Sequence, residues 1–543
     1  MTPAPQAGFD YLIVGAGSAG CMLAHRLSED PDTSVLLLEA GGRARGLFIS
    51  MPVAFPRNVV RKDINWNFQS EPEPFLNGRR IDVPRGKVLG GSSTINGMVY
   101  ARGHRLDYDD WHRSGLEGWA YADVLPYFKR LETHWLGESK YHGASGPLEV
   151  VTPRTPKILA EVVAASTAAA GHPVTEDYHG EHSEGFMRME MTVRRGRRAS
   201  ADRAFLDPVR KRRNLTVVTN ALAHRVLVEN GRAIGVEYSI NGARHSVRAT
   251  REVILAGGVY GSAQLLLLSG IGPADEVKTH GITPVVDLPG VGRNLIEHPL
   301  IFIVHDAQPK TFLTELRLDK ATVSVLRWAL LGTGPFTTNA CAGNVFLRTE
   351  PHLDRPDMQL TCPAGGAGVG LWLSFLGKSP PHALPIVVSM IREDSRGSVT
   401  LRSSDPGDAP RILFNLFKER SDVERMIRGI RMARNIYACE PLKGLIIRET
   451  VPGPDVQSDV DLEKFIRDTG AITQHAVGTC RMGMDRDAVV DNELRVRGVS
   501  GLRVADASVM PTVPGGNTNV PAIMVGERAA DLIRGRRLPP AQV

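Results

Sequence analysis

The segment that constrains this chain most lies near its amino terminus. The apolar run Tyr11-Leu12-Ile13-Val14 leads into Gly15-Ala16-Gly17-Ser18-Ala19-Gly20, and a second run, Val35-Leu36-Leu37-Leu38, ends in Glu39. The pattern predicts a strand, a phosphate-binding turn, a helix through Cys21 to Leu27, and a second strand. A tight turn needs Gly15, close approach of backbone to a pyrophosphate needs Gly17, and close helix–strand packing favours Gly20. The N–H groups that open the helix then face the anion. Glu39 follows about twenty residues on, where a carboxylate accepts hydrogen bonds from ribose hydroxyls. The ligand is a dinucleotide, and the motif does not distinguish NAD from FAD.

The 543 residues, 42% of them hydrophobic, have room for about two to four domains with large cores. No apolar stretch approaches the roughly 18 to 20 residues that span a bilayer. Met1-Thr2-Pro3-Ala4-Pro5-Gln6 has no basic region followed by an apolar one, so the expected compartment is the cytoplasm. Cys21, Cys341, Cys362, Cys439 and Cys480 are odd in number and scattered, which predicts reduced thiols and neither a disulfide framework nor a zinc site. The net charge of +6 comes from arginine clusters such as Arg194-Arg195-Gly196-Arg197-Arg198. They lack interleaved aromatics and are read as solvated faces, not as a nucleic-acid surface. His172, His179 and His182 have no partners at metal-ligand spacing, and no metal is expected.

After the first unit, Gly41 to Gly103 is irregular and rich in Pro, Gly and Arg, and Tyr121 to Glu132 reads as a helix. The runs Leu215–Val218, Arg225–Val228 and Ile234–Tyr238 read as antiparallel strands, with turns at Asn230-Gly231 and Asn241-Gly242. A parallel-sheet pattern resumes at Glu252–Ala256 and continues into a helical Ala263–Leu268. Between His305 and Val460, strands at Pro385–Met390 and Gly397–Leu401 and a helix at Asp422–Tyr437 suggest a second domain without a phosphate loop. Gly501–Asp506 then reads as a strand ending in a carboxylate, and Pro521–Arg534 as a helix. The nucleotide domain is therefore discontinuous.

Three further segments carry a resemblance. Gly86-Lys87-Val88-Leu89-Gly90-Gly91-Ser92-Ser93-Thr94-Ile95-Asn96-Gly97, Gly261-Ser262-Ala263-Gln264 through Gly272, and His475-Ala476-Val477-Gly478-Thr479-Cys480-Arg481-Met482-Gly483 stand in the order found in the glucose-methanol-choline (GMC) oxidoreductases. With the amino-terminal fingerprint and Asn517-Thr518-Asn519, the chain resembles that family over nearly its whole length. Trp66-Asn67-Phe68 and Glu71-Pro72-Glu73-Pro74-Phe75 are most similar to its bacterial choline-dehydrogenase-like branch. The resemblance implies an α/β fold with a discontinuous Rossmann-like FAD-binding domain (1–155, 200–304 and 465–543). A substrate domain (156–199 and 305–464) would be built on an antiparallel sheet and helices.

It also implies FAD contacts at Gly15, Gly17, Ser18, Ala19 and Gly20, at Glu39, Ala40 and Gly41, and at Leu89, Gly90, Gly91, Ser92, Asn96, Gly97 and Met98. Asp506, Ala507, Asn517, Asn519 and Val520 complete the cradle. Val226 supports the adenine through its backbone or is only a core strand residue. The implied chemistry is oxidation of a primary alcohol to an aldehyde, with His475 as general base and flavin N5 as hydride acceptor. Asn519 is assigned the second catalytic position, holding the alcohol oxygen, and the C-terminal helix points its positive end at the flavin. A lyase on the same scaffold, with structural FAD, is the alternative.

Departures from the family narrow this reading. Ile95 stands where certain relatives attach FAD through histidine, so the cofactor is expected to be non-covalent. Choline-oxidising relatives hold a quaternary ammonium with aromatic faces and a carboxylate. Here Trp66 remains, but Gln474 replaces an aromatic and Ala342 an acid. Choline is therefore not the expected substrate; a less charged alcohol is, with oxygen or a quinone-type compound as electron acceptor.

Overall fold

The computed structural model describes residues 8–366, 371–372 and 380–543. The amino-terminal hexapeptide read above lies outside them. Parallel strands Leu215–Thr219, Val35–Glu39, Phe9–Val14 and the distal half of Ala243–Leu255 lie side by side, with Leu502–Val504 beyond. Phe9–Val14 and Val35–Glu39 are buried almost throughout, as strands covered on both faces must be. Their carboxyl ends, Val14, Glu39, Thr219, Leu255 and Val504, fall along one edge, the side on which open α/β sheets bind ligands.

Leu215–Thr219 was expected in an antiparallel set but pairs in parallel with Val35–Glu39. Its apolar residues fit either arrangement, and only the partner strand decides. The other two strands, Ala221–Glu229 and Arg232–Ile240, do form an antiparallel meander with the proximal half of Ala243–Leu255. Both Asn-Gly turns have positive φ at each central residue, the condition for a tight hairpin with matching twist.

The fingerprint helix, Ser18–Leu27, follows the first strand and packs against the C-terminal helix, Asn519–Ile533. Arg26 ties them through Glu527 at 3.2 Å and Asp531 at 3.3 Å. The last helix thus returns to the first, about five hundred residues away in the chain.

A second sheet is antiparallel throughout, in the order Ile446–Val451, Pro299–Ala307, Ala383–Met390, Met358–Pro363, Cys341–Leu347, Gly185–Arg188. Helix Arg420–Tyr437 covers it with Val423, Met426, Ile427, Ile430, Ala433 and Tyr437, which recur at helical spacing. The boundary expected at 304 cuts through Pro299–Ala307, and Ala471–Ile472, placed with the nucleotide domain, pairs with the start of that strand. All five cysteines are unpaired.

Candidate active site

A cavity of about 650 Å³ runs from the carboxyl edge of the parallel sheet to the antiparallel sheet. Gly15, Gly17, Ser18 and Ala19 line one end together with Glu39 and Ala40. A methyl group on Gly17 would meet no protein atom within 4 Å, so the space beside it is open for a ligand. Glu39 is buried, accepting hydrogen bonds from the Ala16 and Gly41 N–H groups at 2.8 Å each. Burial outweighs those bonds and pushes its carboxyl up to about 7. Ribose hydroxyls at this strand end would complete its solvation.

The glycine-rich segment crosses next to this turn. Gly91, Ser92, Asn96, Gly97 and Met98 line the cavity, and the buried Arg198 pins the segment from behind. Its guanidinium donates to the carbonyls of Ile49 (3.1 Å), Ser93 (3.1 Å) and Asn96 (2.7 Å) and to the Asn96 side chain (2.9 Å). Asp506 and Ala507 are also on the wall. Asp506 accepts from the Gly258 N–H (2.8 Å), the Ser262 hydroxyl (2.6 Å) and the Ser508 N–H (2.8 Å), fixing two turns at the cofactor end.

Six expected contacts stand behind the wall. A methyl on Gly20 would lie 1.8 Å from the Gly15 carbonyl, and one on Gly41 would lie 2.0 Å from that of Lys87, so both are packing glycines. Leu89 and Gly90 donate to the Gly42 and Ala16 carbonyls, and Val520 is buried in the first turn of the last helix. The Val226 N–H is taken by Ser269 Oγ at 2.8 Å; from that strand Ala221, Leu222 and Ala223 face the cavity instead.

His475 stands at the other end. Residues 471–477 run antiparallel to 296–300, which brings Thr473 and His475 against Glu297 and His298. Between them Gln474 is left-handed, φ 70, an uncommon conformation for a side chain of that size and one that marks functional turns. His475 Nδ1 lies 2.8 Å from Thr473 Oγ1 and 3.2 Å from His298 Nδ1. The Thr473 hydroxyl has acceptors in Glu297 Oε1 at 3.1 Å and the His298 carbonyl at 3.2 Å. Donating to either, it accepts from Nδ1–H, and this assignment leaves the Nε2 lone pair of His475 facing the cavity. Burial, then the charge of Arg85, lowers His475 to about 3, so the ring is neutral at physiological pH.

Asn519, expected at the second catalytic position, is turned toward the fingerprint turn. The Asn519 amide oxygen accepts from the Ser18 hydroxyl at 2.7 Å, joining the last helix to the fingerprint turn. Asn517 is the residue beside the histidine, its Nδ2 lying 2.9 Å from His475 Nε2. Its carbonyl end is held by Gln359 Nε2 at 3.4 Å, and Gln359 by Asn344 at 3.1 Å, so the amide presents its N–H₂ to the ring.

Sequence reasoning also missed Glu297, His298, Thr473, Arg85 and Gln359. Thr473 is only two residues from His475, but Glu297, His298, Arg85 and Gln359 stand in no motif with their partners and reach them from segments far apart in the chain. Glu297 Oε1 accepts the His475 N–H at 2.6 Å, and burial pushes its carboxyl up to about 7. Arg85 Nη2 lies 3.8 Å from Glu297, and its Nη1 donates to the Gln474 carbonyl at 3.0 Å.

Trp66, Phe68, Phe55 and Val59 give the cavity an apolar flank, with Trp66 stacked on Phe68 at 5.5 Å. The ammonium of Lys87 sits 4.6 Å over the Trp66 ring. Among the described lining residues the only carboxylates are Glu39 and Asp506, both bonded to backbone N–H groups. Ala342 is buried in its strand and off the wall, and Ile95 is on it. Thr518, Asn519 and Ala522 bring the N-terminal end of the last helix to the cavity.

The chain has relatives along its length. Family models described as GMC oxidoreductase match residues 9–300 and 393–526. The chain is 44% identical over 537 residues to a protein of Brucella anthropi named oxygen-dependent choline dehydrogenase, covering 97% of this chain and 96% of that one. A protein of the same name from Rhizobium etli is 44% identical over 533 residues, with the same coverages. Among solved structures, pyridoxine 4-oxidase from Mesorbium loti superposes with a TM-score of 0.86 at 30% identity, over 98% of this chain and 100% of that one. Aspergillus oryzae formate oxidase, studied for modification of its FAD, gives 0.90 at 28%, over 98% and 99%. A glycine cradle for a pyrophosphate at one end, a neutral imidazole at the other, and these matches along the whole length lead to one conclusion: the chain belongs to the GMC oxidoreductase family, flavoenzymes that act on CH–OH groups.

Proposed function

We propose that the protein oxidises a primary alcohol that carries no quaternary ammonium, with a dissociable FAD and with His475 and Asn517 as its catalytic pair. Bound FAD supplies the hydride acceptor for the carbon that bears the hydroxyl. The His475 Nε2 lone pair takes the hydroxyl proton, and Thr473 fixes the tautomer that makes this nitrogen the acceptor. The Asn517 N–H₂, already aimed at that nitrogen, donates to the alcohol oxygen as charge develops on it.

The observation that carries the substrate class is the charge of the wall. A quaternary ammonium requires an aromatic face and a counter-charge. The Trp66 face has Lys87 over it, Arg85 lines the same cavity, and no uncommitted carboxylate is present among the described lining residues. The relatives named for choline are a reason to test it first. Saturation kinetics with choline and with benzyl-type or aliphatic alcohols decide: kcat/KM is expected to be higher for the uncharged alcohols, and a preference for choline would overturn the reading. Ile95 on the wall supports non-covalent FAD. Flavin should leave the protein on acid precipitation, and flavin retained in the pellet would contradict this.

A further inference from the structure

The helix Leu318–Leu331 turns the wrong side inward for a helix on a water-facing surface. Its buried positions are Ala321, Ser324 and Trp328, while Val323, Leu326 and Leu330 form a stripe on the outside, with Leu331 beside it. Leu330 is 79% and Leu331 72% exposed. A basic hairpin is fastened along this helix. The Trp328 indole donates to the Gly196 carbonyl at 2.7 Å, Arg197 lies 4.7 Å over the indole ring, and its guanidinium donates to the Ala329 carbonyl at 3.3 Å. Among the described residues no carboxylate is within ion-pair distance of Arg195, Arg197 or Arg327.

The same face continues onto the short helix Leu47–Ser50. Leu47 and Phe48 are exposed, Arg57 sits 4.2 Å over the Phe48 ring, and the turn Pro52–Ala54 packs against Pro335–Thr337, just beyond the long helix. Aliphatic side chains and unpaired arginines are thus interleaved over one surface built from three distant segments.

From this we infer that the face docks on an anionic lipid surface, with the helix lying flat and its leucines among the acyl chains. Charge selects this occupant over a second copy of the chain. A two-fold contact through this face would set the arginines against their own copies, and the cores of stable interfaces are depleted in charge. A bilayer with anionic headgroups takes both features at once, since guanidinium pairs with phosphate and leucine enters the interface. Phe55 and Val59, on the helix after Pro52–Ala54, also line the catalytic cavity, so lipid face and cavity share a wall.

Co-sedimentation of the holoenzyme with vesicles tests this. Phosphatidylcholine vesicles containing phosphatidylglycerol should pellet the protein at least roughly tenfold better than phosphatidylcholine alone, and added salt should release it. The variant Arg195→Gln/Arg197→Gln should bind roughly 30-fold more weakly, the loss of two near-surface cations. The variant Leu326→Ser/Leu330→Ser should also lose binding, with unchanged melting temperature and unchanged turnover of a water-soluble alcohol. Equal pelleting with both vesicle types, or binding that neither variant reduces, would overturn the inference. So would a dimer in solution that the leucine variant dissociates, because a second copy would then cover the face.

Discussion

At His475 two signs of pH dependence meet within one hydrogen-bonded group. The imidazole is lowered from 6.5 to about 3, so below 6.5 the unfolded chain takes up a proton that the folded one refuses, and stability falls as pH falls. Glu297 is raised from 4.5 to about 7; its contribution is full below 4.5 and is lost as pH rises through 7. Relative to the parent, the FAD-free Glu297→Gln protein should therefore gain stability as pH rises from 5 to 7. The difference, read by chemical denaturation, is up to about 3 kcal/mol. The asparagines divide differently. Asn517→Ala should lower kcat/KM roughly 10²-fold with FAD retained. Asn519→Ala should weaken FAD binding, since it releases Ser18, while holoenzyme turnover changes little. Steady-state kinetics and flavin titration separate the two. The motif brought both residues to the site, but two amides two positions apart at a helix start are oriented only by Ser18 and Gln359, which lie in other segments.

At the scale of the element, the fingerprint unit was legible almost to the residue. Two short strands apolar throughout, a glycine turn and an acidic strand end leave a sequence few options, and the strand–helix–strand unit formed as Phe9–Val14, Ser18–Leu27 and Val35–Glu39. The three glycines are not equivalent. Gly20→Ala would press a methyl against the Gly15 carbonyl and should destabilise the FAD-free protein by about 1–3 kcal/mol. Gly17→Ala fills only the ligand's space, so the FAD-free protein should keep its melting temperature while flavin affinity falls. Thermal unfolding paired with a flavin titration on both variants checks this. The strand Leu215–Thr219 and the position of Val226 were not legible, because apolar alternation specifies a strand but not its neighbour or which residue reaches a distant ligand.

Across the whole molecule, the cavity is assembled from the fingerprint, the glycine-rich segment, residues 255–268, the His475 segment and the last helix. The family resemblance revealed that these segments converge. It did not reveal Glu297, His298 or Arg85, whose roles depend on the pairing of 296–300 with 471–477. A ligand bridging so many segments binds only the folded chain. A hundredfold excess of FAD over its dissociation constant should therefore stabilise the protein by about 2.7 kcal/mol, visible as a shift in the denaturation midpoint.

His475, neutral and facing the cavity, is the proposed acceptor of the proton of an alcohol whose hydride leaves for the flavin. Its direct test is anaerobic mixing of the holoenzyme with uncharged primary alcohols while flavin absorbance is followed. Bleaching is expected, slowed roughly 10²- to 10⁴-fold in His475→Ala. Bleaching at an unchanged rate in that variant, or none with any alcohol in the intact enzyme, would contradict it.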